Sequence, residues 1–218
     1  MHKLAKFSEN RGKVHFEGLI HILRNIRYNK TLGLKHYTDM NDVPVSDFLR
    51  QPSIKTENKL MYFSVSFWQY FPYTVRSTGA YIIFYHCVPI DHVTHVPGPV
   101  SQSSAESDYN SAYTAEMALA HFRMIIHELF NKDRDIVLEE ANLNVFYSKS
   151  DMCMSKNGKD IKHTRHIARI IHFSWNGEKC KMQKIYWCEA GLKFADIATQ
   201  NVEEPDLTPR MKYIMVRL

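Results

Sequence analysis

Three histidines lie close enough in the sequence to suggest a metal-binding site. His163, His166 and His172 lie close together, and imidazole nitrogens are common ligands of zinc. No cysteine or carboxylate stands beside them at a spacing typical of a zinc site. We therefore interpret them as exposed histidines or as histidines of a basic groove.

Other common catalytic motifs are missing from the sequence. It contains no phosphate-binding glycine loop, no nucleophile elbow and no CxxC redox pair. Because the sequence shows no sign of secretion, we expect its cysteines to be free thiols. They are Cys87, Cys153, Cys180 and Cys188.

Basic residues form two segments that flank an acidic one. Residues 1–36 and residues 155–184 each contain eight Lys or Arg and two acids, whereas residues 100–151 contain four bases and nine acids. Basic segments of this size attract polyanions, so nucleic acid is a candidate partner, although an ordinary solvated surface can have the same composition. The second segment reads as a basic loop entering a basic helix, and its candidate contacts are Lys156, Lys159, Lys162, Arg165 and Arg169.

Composition limits the class of protein that positions these side chains. A chain of 218 residues with 44% hydrophobic residues and only 8 Gly and 8 Pro is expected to be ordered and globular. No stretch reaches the roughly 18 apolar residues of a membrane span, and the start lacks the apolar run of a secretory signal. We expect an intracellular protein of the cytoplasm or nucleus that does not enter a membrane.

Hydrophobic periodicity predicts an α/β layered domain with a mixed sheet. Strands are expected at 60–68, 79–85, 91–95, 142–148 and 182–187, and helices at 8–36, from Ser103 or Ser104 to Phe130, at 152–156, 164–175 and 193–202. The first helix should have one buried stripe and one basic face, and 37–58 should connect it to the sheet. The long helix has an apolar stripe at Ala112, Ala115, Leu119, Phe122, Ile126 and Leu129.

Several short motifs together resemble a known family, the polyproteins of copia-type retrotransposons. The matching residues are Lys3 to Phe7, Gly12 to Glu17 with Leu23 and Arg24, Trp68 with Arg76 to Gly79 and Tyr81, Ser103 to Tyr109, Thr164 to Ile167 with His172 and Phe173, and Ala195 to Thr199. In the family, the first of these lie just past the reverse transcriptase catalytic region and the others lie in the ribonuclease H domain. Because the matches fall in order along nearly the whole chain, they are specific as a set.

The resemblance implies a ribonuclease H-like fold, with a five-stranded mixed sheet flanked by helices and preceded by a helical extension. Domains of this family cut the RNA of an RNA–DNA hybrid with Mg²⁺ held by four carboxylates. Two of those positions are retained here, as Glu106 and Asp196, which we expect to bind metal weakly. The other two are occupied by Val65 and Tyr147, neither of which is a carboxylate ligand. Asp108, about 200° around the helix from Glu106, should point away from the site.

The sequence therefore predicts three segments. These are a helical connection at 1–58 from the end of the reverse transcriptase region, a ribonuclease H-like domain at 59–204 and a tail at 205–218. We expect binding of RNA–DNA hybrid or RNA, Mg²⁺ binding that is weak or lost, and hydrolysis that is lost or very slow. The upstream reverse transcriptase domain of the same polyprotein is a further candidate partner.

Three alternatives stay open at this point. The domain could be a working metal-dependent nuclease with an unforeseen third ligand. It could instead be a protein-interaction module whose former cleft, lined by Val65, Phe67 and Tyr147, holds a partner. It could also be a decayed copy with no selected role.

Overall fold

A computed structural model describes residues 12–34, 60–68, 75–85, 88–98, 100–130, 142–146, 152–153, 155–156, 167–188, 194–199 and 215–217. In chain order the elements are α1 (Lys13–Tyr28), β1 (Leu32–Leu34), β2 (Leu60–Phe67), β3 (Thr78–Tyr85), β4 (Val88–His95), α2 (Ser104–Phe130), β5 (Asn142–Phe146), α3 (Ala168–Lys179), β6 (Gln183–Trp187), α4 (Asp196–Thr199) and β7 (Met215–Arg217).

The main sheet is mixed and has the strand order β4-β3-β2-β5-β6. Strands β2, β3 and β4 are antiparallel neighbours, whereas β5 runs parallel to both β2 and β6. Nearly every residue of β2 and β3 is buried, as expected for strands covered on both faces. The mixed α/β architecture predicted from the sequence is confirmed.

Helix α2 covers one face of the sheet. Ala115 and Leu119 of this helix form a buried cluster with Tyr62 of β2 and Ile83 of β3. A second cluster joins the N-terminal half of α2 to α3 and β6, and contains Tyr109, Ala112, Ile167, Ile171 and Ile185. The predicted stripe of α2 is thus confirmed, except that Leu129 is 72% exposed.

Gly79 allows α2 to approach β3 closely. A β-carbon added at Gly79 would collide with the Ser111 hydroxyl and lie 2.9 Å from the His95 ring. His95 is the partner of Gly79 in the pairing of β3 with β4. Side chains of both α2 and the edge strand β4 therefore lie next to the Gly79 backbone. The glycine is needed here for space.

Residues 194–199 cover the opposite face of the sheet. The Phe194 ring packs against Phe63 and Phe84, with ring centroids 5.2 and 6.0 Å away. The hydroxyl of Thr94, on edge strand β4, donates a hydrogen bond to the carbonyl of Ala198 at 3.1 Å. The short helix α4 is therefore held against both the centre and the edge of the sheet.

Helix α1 differs from its prediction in length and in burial. It ends at Tyr28, where a turn leads into β1. Residues 29–34 were predicted to be helical and are not. None of its residues is buried, and the apolar stripe is exposed, with Phe16 at 64%, Leu23 at 52% and Ile26 at 55%. The expected buried stripe is therefore wrong for the part of the chain that the structure describes.

Two further boundaries differ for local reasons. Strand β4 begins at Val88 rather than residue 91, because it is an edge strand and such a strand tolerates Pro89. Helix α3 continues past 175 to Lys179 through Gly177. A β-carbon there would lie 2.9 Å from the Gln183 side chain, so glycine gives that side chain room.

The strands β1 and β7 form a separate two-stranded antiparallel sheet, with Gly33 opposite Val216. This pairing joins the N-terminal connection to the C-terminal tail, and the sequence did not predict it.

The described helices include none that is long and apolar enough to cross a membrane. Cys153, Cys180 and Cys188 form no disulfide within the part of the chain that the structure describes, and Cys87 lies outside it.

Candidate active site and nucleic-acid interface

Glu106 lies in the first turn of α2, where the sequence placed it. The Ser103 hydroxyl accepts a hydrogen bond from the Glu106 backbone N–H at 3.1 Å and so caps the helix. The Glu106 carboxylate folds back and accepts from the Gln102 backbone N–H at 2.6 Å. Only 5% of the residue is exposed. The carboxylate is therefore satisfied in part by the helix start, whose dipole also favours a negative charge.

Val65 lies on the face of the sheet that residues 194–199 cover. Side chains alternate along a strand, and Phe63, two residues earlier in β2, packs on Phe194. Val65 is 8% exposed and pairs with Ala80 of β3. A buried valine thus occupies the first-strand position at which the family resemblance implies a metal-binding carboxylate.

Asp196 begins α4 on that same face. It is 5% exposed and directly follows Phe194 and Ala195, which are fully buried. The hydroxyl of Thr199 donates to the Asp196 carbonyl at 3.3 Å, which closes the single turn. The structure therefore brings Asp196 to the covered face of β2 that also carries Val65.

Tyr147 lies outside the described residues, so its assignment to the second lost carboxylate position stays a prediction. The described part of strand β5, Asn142–Phe146, is parallel to β2, with Val145 opposite Phe63.

Asp108 has a structural contact on the other face of the sheet. Its Oδ1 accepts hydrogen bonds from the backbone N–H and the hydroxyl of Ser66, both at 2.8 Å. Because Ser66 follows Val65, its side chain projects from the opposite face of β2. Asp108 thus ties α2 to the strand on the side away from Val65.

The described residues do not fit a magnesium site. No three His, Cys, Asp or Glu side chains among them lie close enough together to hold a metal ion. Glu106 already accepts a backbone hydrogen bond, and Val65 offers no oxygen ligand. We therefore derive no catalytic step through Mg²⁺ from these residues.

Sequence reasoning missed a buried carboxylate in the middle of α2. Glu116 is 4% exposed, and its Oε1 accepts from the Tyr62 hydroxyl at 3.0 Å and the Ser174 hydroxyl at 2.8 Å. The Gln183 amide donates to the Ser174 carbonyl at 2.7 Å. These groups join β2, α2, α3 and β6. Glu116 and Gln183 also line an open cavity of about 110 Å³. The signal available was an acid within the apolar stripe of α2.

The basic residues of the candidate interface are only partly described. Lys156 and Arg169 are both exposed, whereas Lys159, Lys162 and Arg165 lie outside the described residues. Burial raises the pKa of Glu178, while the nearby Lys156 ammonium and a hydrogen bond from the Ile185 backbone N–H lower it. Glu178 and Arg169 are nine residues apart and so lie on opposite sides of α3. Lys156 and Arg169 therefore flank the helix rather than share one of its faces.

His172 is exposed on α3, as expected, and His163 and His166 lie outside the described residues. The pKa of Tyr186 is raised by burial and by the neighbouring Glu178 carboxylate.

Comparison with solved structures finds the N-terminal RNase H domain of Rv2228c from Mycobacterium tuberculosis, solved as a fusion with maltose binding protein. The match has a TM-score of 0.45 and 8% sequence identity, and covers 71% of this chain and 97% of that one. No protein-family model matches the sequence, and no curated protein matches it.

Proposed function

We propose that the chain is the ribonuclease H-like domain of a copia-type retrotransposon polyprotein, with part of the reverse transcriptase connection before it. In this proposal it binds RNA–DNA hybrid or RNA through its basic segments, and its hydrolysis is lost or very slow. Six motifs in order support the family, and the mixed sheet with a long helix on one face is the architecture that the family requires.

The burial of Val65 is the observation that carries the catalytic part of the proposal. An aspartate at this position would lie on the side of β2 that residues 194–199 cover, the side on which Asp196 begins α4. The valine, which is 8% exposed, supplies hydrocarbon instead of an oxygen ligand. Glu106 and Asp196 remain as the two proposed metal residues, and two carboxylates without the strand ligand hold Mg²⁺ weakly.

The alternative of a protein-binding cleft is not favoured by the same burial. Val65 is 8% exposed, so it cannot line an open groove, although Phe67 at the end of β2 is 37% exposed. We propose instead that the exposed apolar stripe of α1 packs on the upstream reverse transcriptase domain. The exposure of Phe16, Leu23 and Ile26 supports this, since contiguous exposed apolar side chains are often sites of protein contact.

Equilibrium binding tests the nucleic-acid part of the proposal. The full chain is titrated into a labelled RNA–DNA hybrid, with single-stranded RNA and double-stranded DNA of the same sequence as competitors, in EDTA and in Mg²⁺. We expect the hybrid and the RNA to bind more tightly than the DNA duplex, with no requirement for Mg²⁺. Equal affinity for all three polymers, or no binding at low salt, would contradict the proposal.

Charge-removing variants locate the interface. Replacement of Arg169 or Lys156 by Ala should weaken binding and lower the salt dependence of the binding constant, by about 0.9 in the logarithmic slope for each phosphate that is no longer neutralised. Arg76→Ala removes an exposed charge that lies outside both basic segments and serves as the control. A decrease of the same size in the control would assign the attraction to net charge rather than to this interface.

A further inference from the structure

The outward side of α3 carries cationic and aromatic side chains in a single stripe. Arg169, His172, Trp175 and Lys179 recur at intervals of three or four residues, so they lie on one side of the helix. Arg169, His172 and Lys179 are exposed and Trp175 is half-buried. We call these four residues the α3 stripe.

The aromatic centre of the stripe is held in place by its neighbours. The rings of His172 and Trp175 meet edge to face, with centroids 5.8 Å apart and planes at 78°. The Lys179 ammonium lies 5.0 Å from the Trp175 ring centroid, within the range of a cation–π contact. The indole is thus fixed between an exposed imidazole and an exposed cation, which reduces the entropy cost when a ligand binds there.

The stripe takes no part in the core, because other residues of α3 do that. Ile171, Ser174 and Gly177 are the buried residues of the helix, and Phe173 packs against Tyr113 of α2 at 5.3 Å. The only acid of the helix, Glu178, accepts from the Ile185 backbone N–H and is turned toward β6. The positive charges of the stripe are therefore not offset by a carboxylate from the helix itself.

We propose that the α3 stripe is a contact surface for single-stranded nucleic acid. Arg169 and Lys179 lie ten residues apart, or roughly 15 Å along the helix, and would each contact backbone phosphate. The exposed imidazole and the half-buried indole between them would contact a base. Stacking on protein side chains requires unpaired bases, whereas a duplex offers only its phosphates and groove edges, so aromatic residues between cations favour a single strand.

This proposal does not depend on the ribonuclease H assignment. It concerns a helix surface outside the carboxylate positions, and it would hold for any nucleic-acid-binding domain with this helix. Hybrid binding and single-strand binding are therefore measured separately, so that failure of one proposal can be told from failure of the other.

The test uses the full chain and a fluorescein-labelled 12-nucleotide single-stranded RNA, with an RNA–DNA hybrid of the same length in parallel. Trp175→Leu should weaken single-strand binding about tenfold, because the aromatic surface that a base would contact is removed. Lys179→Gln should lower the logarithmic salt slope by about 0.7, the value for one phosphate contact on a single strand. Hybrid affinity should change less than single-strand affinity in both variants.

The matched control is Arg76→Gln, which removes one exposed charge outside both basic segments. Because Trp175 is half-buried, melting curves are recorded for the Trp175→Leu variant. If its fold is disturbed, His172→Ala is used in its place, since His172 is exposed on α3. Single-strand affinity that is unchanged in both Lys179→Gln and His172→Ala would overturn the proposal. So would a decrease confined to the hybrid, which would mark the stripe as a duplex contact.

Discussion

Replacing Val65 by aspartate, together with Tyr147→Asp, would test whether the scaffold still has the geometry of a metal site. Val65 is 8% exposed, so the valine contributes close to its full burial energy, about 1.5–3 kcal/mol. The carboxylate that replaces it adds a further cost of desolvation, or is kept neutral by a raised pKa. We expect the free energy of unfolding in EDTA to fall by about 3 kcal/mol or more. For a chain of this length that corresponds to a melting temperature about 6–12 °C lower.

Magnesium should reverse much of this destabilisation if the carboxylates introduced at positions 65 and 147 meet Glu106 and Asp196 as the family arrangement requires. A ligand at 100 times its dissociation constant stabilises the folded state by about 2.7 kcal/mol. Differential scanning fluorimetry in EDTA and in 10 mM Mg²⁺ measures both effects on one sample. Val145→Asp is the matched control, because it places a carboxylate at a fully buried valine of the neighbouring strand. An equal magnesium response in that control, or none in the restored chain, would refute the reasoning.

Three smaller perturbations test the packing that positions the site. Gly79→Ala should destabilise the fold by about 1–3 kcal/mol through overpacking against Ser111, and Ser111→Gly should restore part of that stability in a double-mutant cycle measured by urea unfolding. Glu116→Gln should cost about 2 kcal/mol, because the Tyr62 and Ser174 hydroxyls would donate to a neutral amide oxygen instead of a buried carboxylate, whereas Glu128→Gln on the exposed side of the same helix should cost almost nothing. Burial, assisted by the charge and hydrogen bond of Asp91, raises the pKa of Tyr81 to about 12. Stability from this group is complete below pH 10 and is lost as pH rises toward 12, so Tyr81→Phe should flatten the decline of melting temperature over that window.

Much of the central fold could be predicted because its signals are local. Strands β2 and β3 are dense in aromatic and β-branched residues, which follows from burial on both faces. Helix α2 has a serine cap, an acid in its first turn and an apolar stripe, and its predicted limits are close to those observed. In these elements, local preference and tertiary packing agree.

The features that the sequence did not predict depend on contacts between distant segments. The contacts of Glu116 come from Tyr62 and Ser174, which are 54 and 58 residues away along the chain. Periodicity cannot show that such partners meet. Helix α3 contains Gly177, where the missing side chain leaves room for Gln183, a contact that the local sequence does not show. Strands β1 and β7 have three residues each and are too short to give a strand pattern.

The sequence predicted where Glu106 and Asp196 lie in their helices, but not the contacts that surround the candidate site. Glu106 and Asp196 lie at the starts of their helices, as the motifs indicated. The hydrogen bond from Gln102 to Glu106, and the contact of Asp108 with Ser66, depend on the loop before α2 and on its approach to β2. The exposure of the α1 stripe could not be read from its pattern, because an amphipathic helix looks the same whether or not its apolar face is covered.

Cleavage of an end-labelled RNA–DNA hybrid tests the central claim most directly. The native chain is compared with the Val65→Asp, Tyr147→Asp double variant in Mg²⁺ and in Mn²⁺. We predict that the native chain does not cut, and that the double variant cuts and loses this activity on addition of Glu106→Ala. Cleavage by the native chain that is abolished by Glu106→Ala would contradict the account, because it would show a complete metal site in which Val65 has no part.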